Sequence, residues 1–135
     1  MNAAPLGAIK VVEAFPSAQV TAATDGSVFY TWRTKNDPET NMYSGWFRQA
    51  AIYVSQSAGS GNNGGNYLQV TLQGRHDDTD PWCDMPQPTD IKITANAAAG
   101  YYAAISGPIL PEMRVHITET GTADATIRIH VVLLA

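Results

Sequence analysis

Cysteine is all but missing: Cys83 is the single thiol in 135 residues. No intramolecular disulfide can brace the fold, which excludes the small secreted disulfide scaffolds and points to folding in a reducing cytosol. Charge is sparse and slightly acidic, 8 Lys and Arg against 12 Asp and Glu for a formal net charge of -4. That leaves no basic excess for a general nucleic-acid binder. Long apolar runs are absent too. No stretch approaches the ~18 residues of a membrane-spanning helix, and the opening MNAAPLGAIKVVEAF has neither the charged start nor the apolar run of a secretory signal. A protein outside the membrane, not exported by the general secretory route, is expected.

A helical period is also lacking. Eight prolines and eleven glycines interrupt the chain, and no segment keeps an apolar repeat of 3.6 residues, whereas alternation with period two recurs. The expectation is one all-β domain over 1–135. Candidate strands run over Ala8 to Ala14, Ser27 to Arg33, Gly45 to Gln56, Tyr67 to Gly74, Asp90 to Ala95, Tyr101 to Ile105, Met113 to Thr118 and Ala125 to Leu134. About eight short strands at this spacing predict an antiparallel β-sandwich, jelly-roll-like. A competing helix can be drawn through TANAAAGYYAAI, since alanine favours helices, but Gly100 falls in its middle.

The clearest alternation sets Leu68, Val70 and Leu72 against Gln69, Thr71 and Gln73, the pattern of a strand with one face on a core and one in water. Met113, Val115 and Ile117 alternate in the same way, as do Ile127, Ile129, Val131 and Leu133. If these last two strands pair as a hairpin around Gly121, then Arg114, His116, Arg128 and His130 share one face. They would form a small basic patch on an acidic protein, the candidate partner-binding site. SQSAGSGNNGGN, Ser55 to Asn66, offers no apolar area to bury and reads as a mobile loop or hairpin tip.

RHDDTDPWCD concentrates chemistry-bearing residues. Asp77, Asp78, Asp80 and Asp84 are calcium-ligand candidates, although the regular oxygen steps, central glycine and closing glutamate of an EF-hand are missing. A zinc site from His76 and Cys83 would need two more ligands, and no signature spacing supplies them. The simpler reading is a tight turn leaving the strand Tyr67 to Gly74, with aspartates bonding their own backbone, Trp82 returning to the core edge and Cys83 buried as a small apolar residue. No catalytic set emerges: there is no GxSxG, no nucleophilic-cysteine signature and no lysine in the glycine-rich stretch to make a phosphate loop. A non-enzymatic protein without a cofactor is the expectation. Trp32, Trp46, Trp82, Tyr101 and Tyr102 are candidates for a sugar-stacking platform, against the ordinary use of aromatics in cores and interfaces.

Two segments together resemble small β-sandwich virion proteins of tailed bacteriophages. VTLQGRHDDTDPWCDM resembles their apolar strand, Asp-rich turn, Trp and following strand. GPILPEMRVHITETGTADATIRIHVVLL resembles their closing hairpin, in which an Arg-bearing strand leads through a Thr-Gly-Thr turn into the last strand. The resemblance implies a capsid decoration or cement protein that binds the major capsid protein on the virion surface, as a homo-oligomer, with a neck or tail protein as the near alternative. Residues 1–16 are read as an ordinary first strand or as an extended arm that adds to a neighbour by edge pairing. A carbohydrate-binding module, calcium-assisted at the Asp-rich turn, stands as the alternative from a different class.

Overall fold

The structure, a computed structural model, describes residues 9–31, 47–85, 90–105 and 108–135. Period-two alternation becomes strand throughout them. The strands are β1 (Ile9–Val20), β2 (Thr24–Asp25), β3 (Phe29–Tyr30), β4 (Gln49–Ser60), β5 (Tyr67–Arg75), β6 (Cys83–Asp84), β7 (Ile91–Ile93), β8 (Ala99–Ala104), β9 (Glu112–Thr120) and β10 (Asp124–Leu134). The first sheet runs β1-β10-β4-β8, all antiparallel. The second runs β2-β9-β5-β6, with β3 following β2 along β9 and β7 sharing the β5 edge with β6. Counting β2 with β3 and β6 with β7, the chain has eight strand positions, four in each sheet, with the first and last strands side by side. This is the strand order of a jelly roll.

The core is the sum of the inward residues. Leu68, Val70, Leu72, Met113, Val115 and Ile117 face in from the second sheet, and Ile52, Val54, Ile127, Ile129, Val131 and Leu133 from the first, all fully buried. Each such side chain contributes on the order of 1.5–3 kcal/mol by leaving water. From Ile9 onward the N-terminal segment is the first strand of the sandwich, paired along β10; residues 1–8 lie outside the described residues.

Two expectations are corrected and one competing reading is resolved. Met113 to Thr118 and Ala125 to Leu134 do not pair as a hairpin: β9 pairs β5, β2 and β3, while β10 pairs β1 and β4. Alternation determines which residues face the core, but it is silent about which strand lies alongside. Gly121 therefore turns a corner between sheets. Its φ is +68°, and a Cβ there would lie 2.0 Å from Asn66 Oδ1, so both conformation and space require glycine. The helix drawn through TANAAAGYYAAI is absent, because β4 supplies β8 with a partner over six residues and outweighs alanine's local preference. The Gly/Ser/Asn stretch is ordered, not a free tip. β4 continues to Ser60, and Asn62, 5% exposed, donates to the carbonyls of Ala95 and Asp124 and accepts from Asp124 N–H. Amide hydrogen bonds replace apolar burial there.

Candidate interaction surfaces

Because β9 and β10 belong to different sheets, the four basic residues leave the sandwich through opposite outer faces. Arg114 and His116 lie on β9, Arg128 and His130 on β10, and no common patch forms. Each pair instead brackets a carboxylate from the neighbouring edge strand. On the second sheet, Arg114 Nη1 donates to Asp25 Oδ2 at 3.1 Å, and His116 Nδ1 lies 2.5 Å from Asp25 Oδ1. On the first, Arg128 donates to Glu13 Oε2 at 2.7 and 2.9 Å, with His130 Nε2 3.7 Å from the same oxygen. Asp25 and Glu13 were missed from sequence because each depends on a strand pairing that alternation does not reveal. The expected positive charge is thus largely met within the chain.

The Arg114 side of the second sheet is a dense network. Gln73 accepts from Arg114 Nε at 2.9 Å and donates to Asp84 at 3.0 Å. Arg75 Nε donates to the partly buried Glu112 at 2.7 Å. The Arg75 and Arg114 guanidinium groups lie 4.2 and 4.5 Å from the centroid of Trp82. These cation–π contacts clamp the indole over the sheet.

RHDDTDPWCD forms the connection between β5 and β6. Asp80 N–H donates to the Asp77 carbonyl at 3.1 Å, and Asp77 Oδ1 accepts from the Thr79 N–H and hydroxyl at 2.8 and 2.6 Å. Those bonds to Thr79 hold the Asp77 carboxyl below the ordinary carboxylate range. His76, Asp77 and Asp80 bring one ligand atom each within 4.8 Å of one another. Of the calcium candidates, Asp77 and Asp80 fall in this group; Asp78 and Asp84 do not, and Asp84 bonds Gln73 from β6. One nitrogen and two carboxylate oxygens fall well short of the six to eight oxygens calcium takes. Cys83 is exposed, contrary to expectation: on a two-residue edge strand its thiol meets the Gly74 carbonyl rather than the core.

The candidate sugar platform also separates. Trp32 and Trp46 lie outside the described residues. Trp82 is clamped by two arginines, and the Tyr101 hydroxyl turns inward to donate to Gln56 Oε1 at 2.9 Å. Of the three described candidates Tyr102 alone is widely exposed, at 69%, and its cross-strand partner Tyr53 is exposed beside it. On the same outer face Ile9 and Val11 of β1 are more than half exposed. In register, Val11, Val132, Ala51 and Ala104 form an apolar row across all four strands of the first sheet. At one end of the sandwich a cleft of about 410 Å³ lies between Thr21, Ser60, Gly61, Glu119, Thr122, Ala123 and Asp124.

No protein-family model, curated protein or solved structure matches the chain.

Proposed function

We propose that this chain is a non-enzymatic structural protein of a tailed-phage virion, a decoration protein that binds the major capsid protein and stabilises the head. The observation that carries the reading is the eight-position jelly-roll order, a scaffold used by capsid proteins among others, joined to the sequence resemblance of the Asp-rich turn and C-terminal segment. Fold alone assigns no activity. The surface adds support: the outer face of the first sheet combines an apolar row with the exposed Tyr53 and Tyr102, the aromatic and aliphatic composition of an interface core. Many copies on a lattice would multiply one such modest contact into firm attachment.

The test is quantitative mass spectrometry of purified virions together with binding of the recombinant chain to capsids that lack it. Copy number comparable to the capsid protein and saturable binding are the expected results. A chain absent from virions, or present in a handful of copies, overturns the decoration role, and a handful of copies moves the assignment to neck or tail.

The Tyr53 and Tyr102 pair also favours a second reading, carbohydrate binding by stacking on exposed rings. Loss of glycan binding in Tyr102→Ala would support it. Absence of any sugar binding at millimolar concentration would remove it.

A further inference from the structure

A sandwich has four sheet edges, and three of these are blunted. β1 carries Pro16 and Glu13 and two register shifts, between Glu13 and Phe15 and between Phe15 and Ala18. Among the described residues, one edge of the second sheet is broken into β2 and β3, and the other into β6 and β7, none longer than three residues. Proline, charge, bulges and short strands are the devices that keep an edge from pairing with another chain.

The fourth edge, β8, has none of them. Its sequence AGYYAA is uncharged and without proline, its pairing with β4 is unbroken from Ala99 to Ala104, and no strand among the described residues pairs with its outer side. A row of main-chain N–H and C=O groups is complementary only to another extended main chain.

We infer that β8 pairs antiparallel with β8 of a second copy across a twofold axis, joining two four-stranded sheets into one of eight strands. The second copy presents the same bare edge, so one contact satisfies both, and an uncharged strand sets no like charges across the axis. Gly100 narrows the register. In its own chain Tyr53 leans over it, the hydroxyl 3.1 Å from where a Cβ would stand, so the residue opposite must be small. Pairing centred on Tyr102 meets this condition: Gly100 faces Ala104 of the second copy, Tyr101 faces Ala103 of the second copy, and the two Tyr102 rings meet on the outer face. The apolar row that ends at Ala104 then meets Gly100 of the second copy across the joint.

A joint of this size buries on the order of 500 Å² in total, well below the ~1,200–2,000 Å² of a stable interface. Weak, concentration-dependent association follows, strengthened wherever a lattice holds the copies close. The inference goes beyond the capsid reading and does not depend on it, since self-association is measured with the purified chain alone.

The experiment places Tyr102→Cys in a Cys83→Ser background under mild oxidation, with Val11→Cys on the opposite edge as the comparison. Residues directly opposed in a ladder have Cα atoms about 4.5–5.5 Å apart, within disulfide reach. Expected are a disulfide dimer forming at least tenfold faster at position 102 than at position 11, and β8 amides of the native chain exchanging several-fold more slowly at 1 mM than at 10 µM. Equal cross-linking at the two positions, or β8 exchange independent of concentration, overturns the inference. Protection of β8 that appears only on adding capsid protein also overturns it, by assigning the edge to a foreign strand.

Discussion

Arg114 and Arg128 leave the molecule through opposite faces of the sandwich, one held by Asp25 and the other by Glu13. The two arginines differ in what else they touch. Arg114, 19% exposed in its side chain, also bonds Gln73 and stacks on Trp82, whereas Arg128 is half exposed and held by Glu13. Arg114→Ala is therefore expected to cost about 1–2 kcal/mol, from a lost charge-assisted bond and cation–π contact. Arg128→Ala should stay within about 0.5 kcal/mol, as exposed ion pairs do. Urea unfolding of both variants checks the difference, and equal losses would contradict it.

The same separation divides any binding role. If one outer face docks on a capsid, Arg114→Glu and Arg128→Glu cannot weaken attachment equally, because the residues belong to different sheets. With the first sheet as docking face, Arg128→Glu and Tyr102→Ala should reduce capsid occupancy several-fold while Arg114→Glu leaves it within twofold, since charge changes away from an interface have little effect on its short-range contacts. Occupancy counted on capsids at a fixed protein concentration decides it. Equal loss in the two arginine variants would argue against a single docking face.

Gly61 and Gly121 both adopt positive φ, +71° and +68°, but only Gly121 is crowded. Gly61 has nothing within 4 Å of a prospective Cβ, whereas one at Gly121 would lie 2.0 Å from Asn66 Oδ1 and 2.7 Å from the Gly65 carbonyl oxygen. Gly61→Ala should cost about 1–2 kcal/mol from backbone strain alone. Gly121→Ala should cost about 3 kcal/mol or more, because the turn Asn63–Asn66 must also shift. Thermal melting of the two variants separates conformation from space.

The inward residues of β5, β9 and β10 were legible because alternation is a direct imprint of one buried face: Leu68, Val115 and Ile129 are all fully buried as the pattern requires. Sheet membership was not legible. Val115 and Ile129 would face inward in a hairpin or in two opposed sheets alike, and the choice is made by long-range pairing, of Val115 with Leu72 and of Ile129 with Val54 and Phe15. The basic patch failed for that reason. The loop around Asn62 failed for another: composition counts its missing apolar area but not the side-chain amides that satisfy distant carbonyls.

Asn62 and Gln56 provide a direct test of that point. Both are at least 95% buried, and Gln56 donates to the Ala95 carbonyl at 2.7 Å while accepting from the Tyr101 hydroxyl. Replacing either by alanine leaves buried partners without bonds, each worth about 1–3 kcal/mol. Asn62→Ala and Gln56→Ala should each lose about 2–4 kcal/mol, as much as a core leucine. A loss under about 0.5 kcal/mol would return the segment to the status of a free loop.

The turn at Asp77 carries the pH prediction. Two hydrogen bonds from Thr79 favour the ionised carboxylate in the folded chain, so its folded pKa lies below its unfolded value. Fewer protons bind in the folded state, and the contribution to stability is present above the unfolded pKa and lost as pH falls through the folded one. NMR titration of Asp77 should give a midpoint below that of an ordinary aspartate, and Thr79→Ala should raise it by removing the hydroxyl donor while the backbone donor stays. The candidate ion site at His76, Asp77 and Asp80 offers one nitrogen and two carboxylate oxygens, short of the six to eight oxygens calcium takes. Millimolar calcium should accordingly shift the amide signals of 76–80 only slightly and leave the melting temperature unchanged. A melting point that rises with calcium and returns on chelation would show instead that an ion, rather than Thr79, organises the turn.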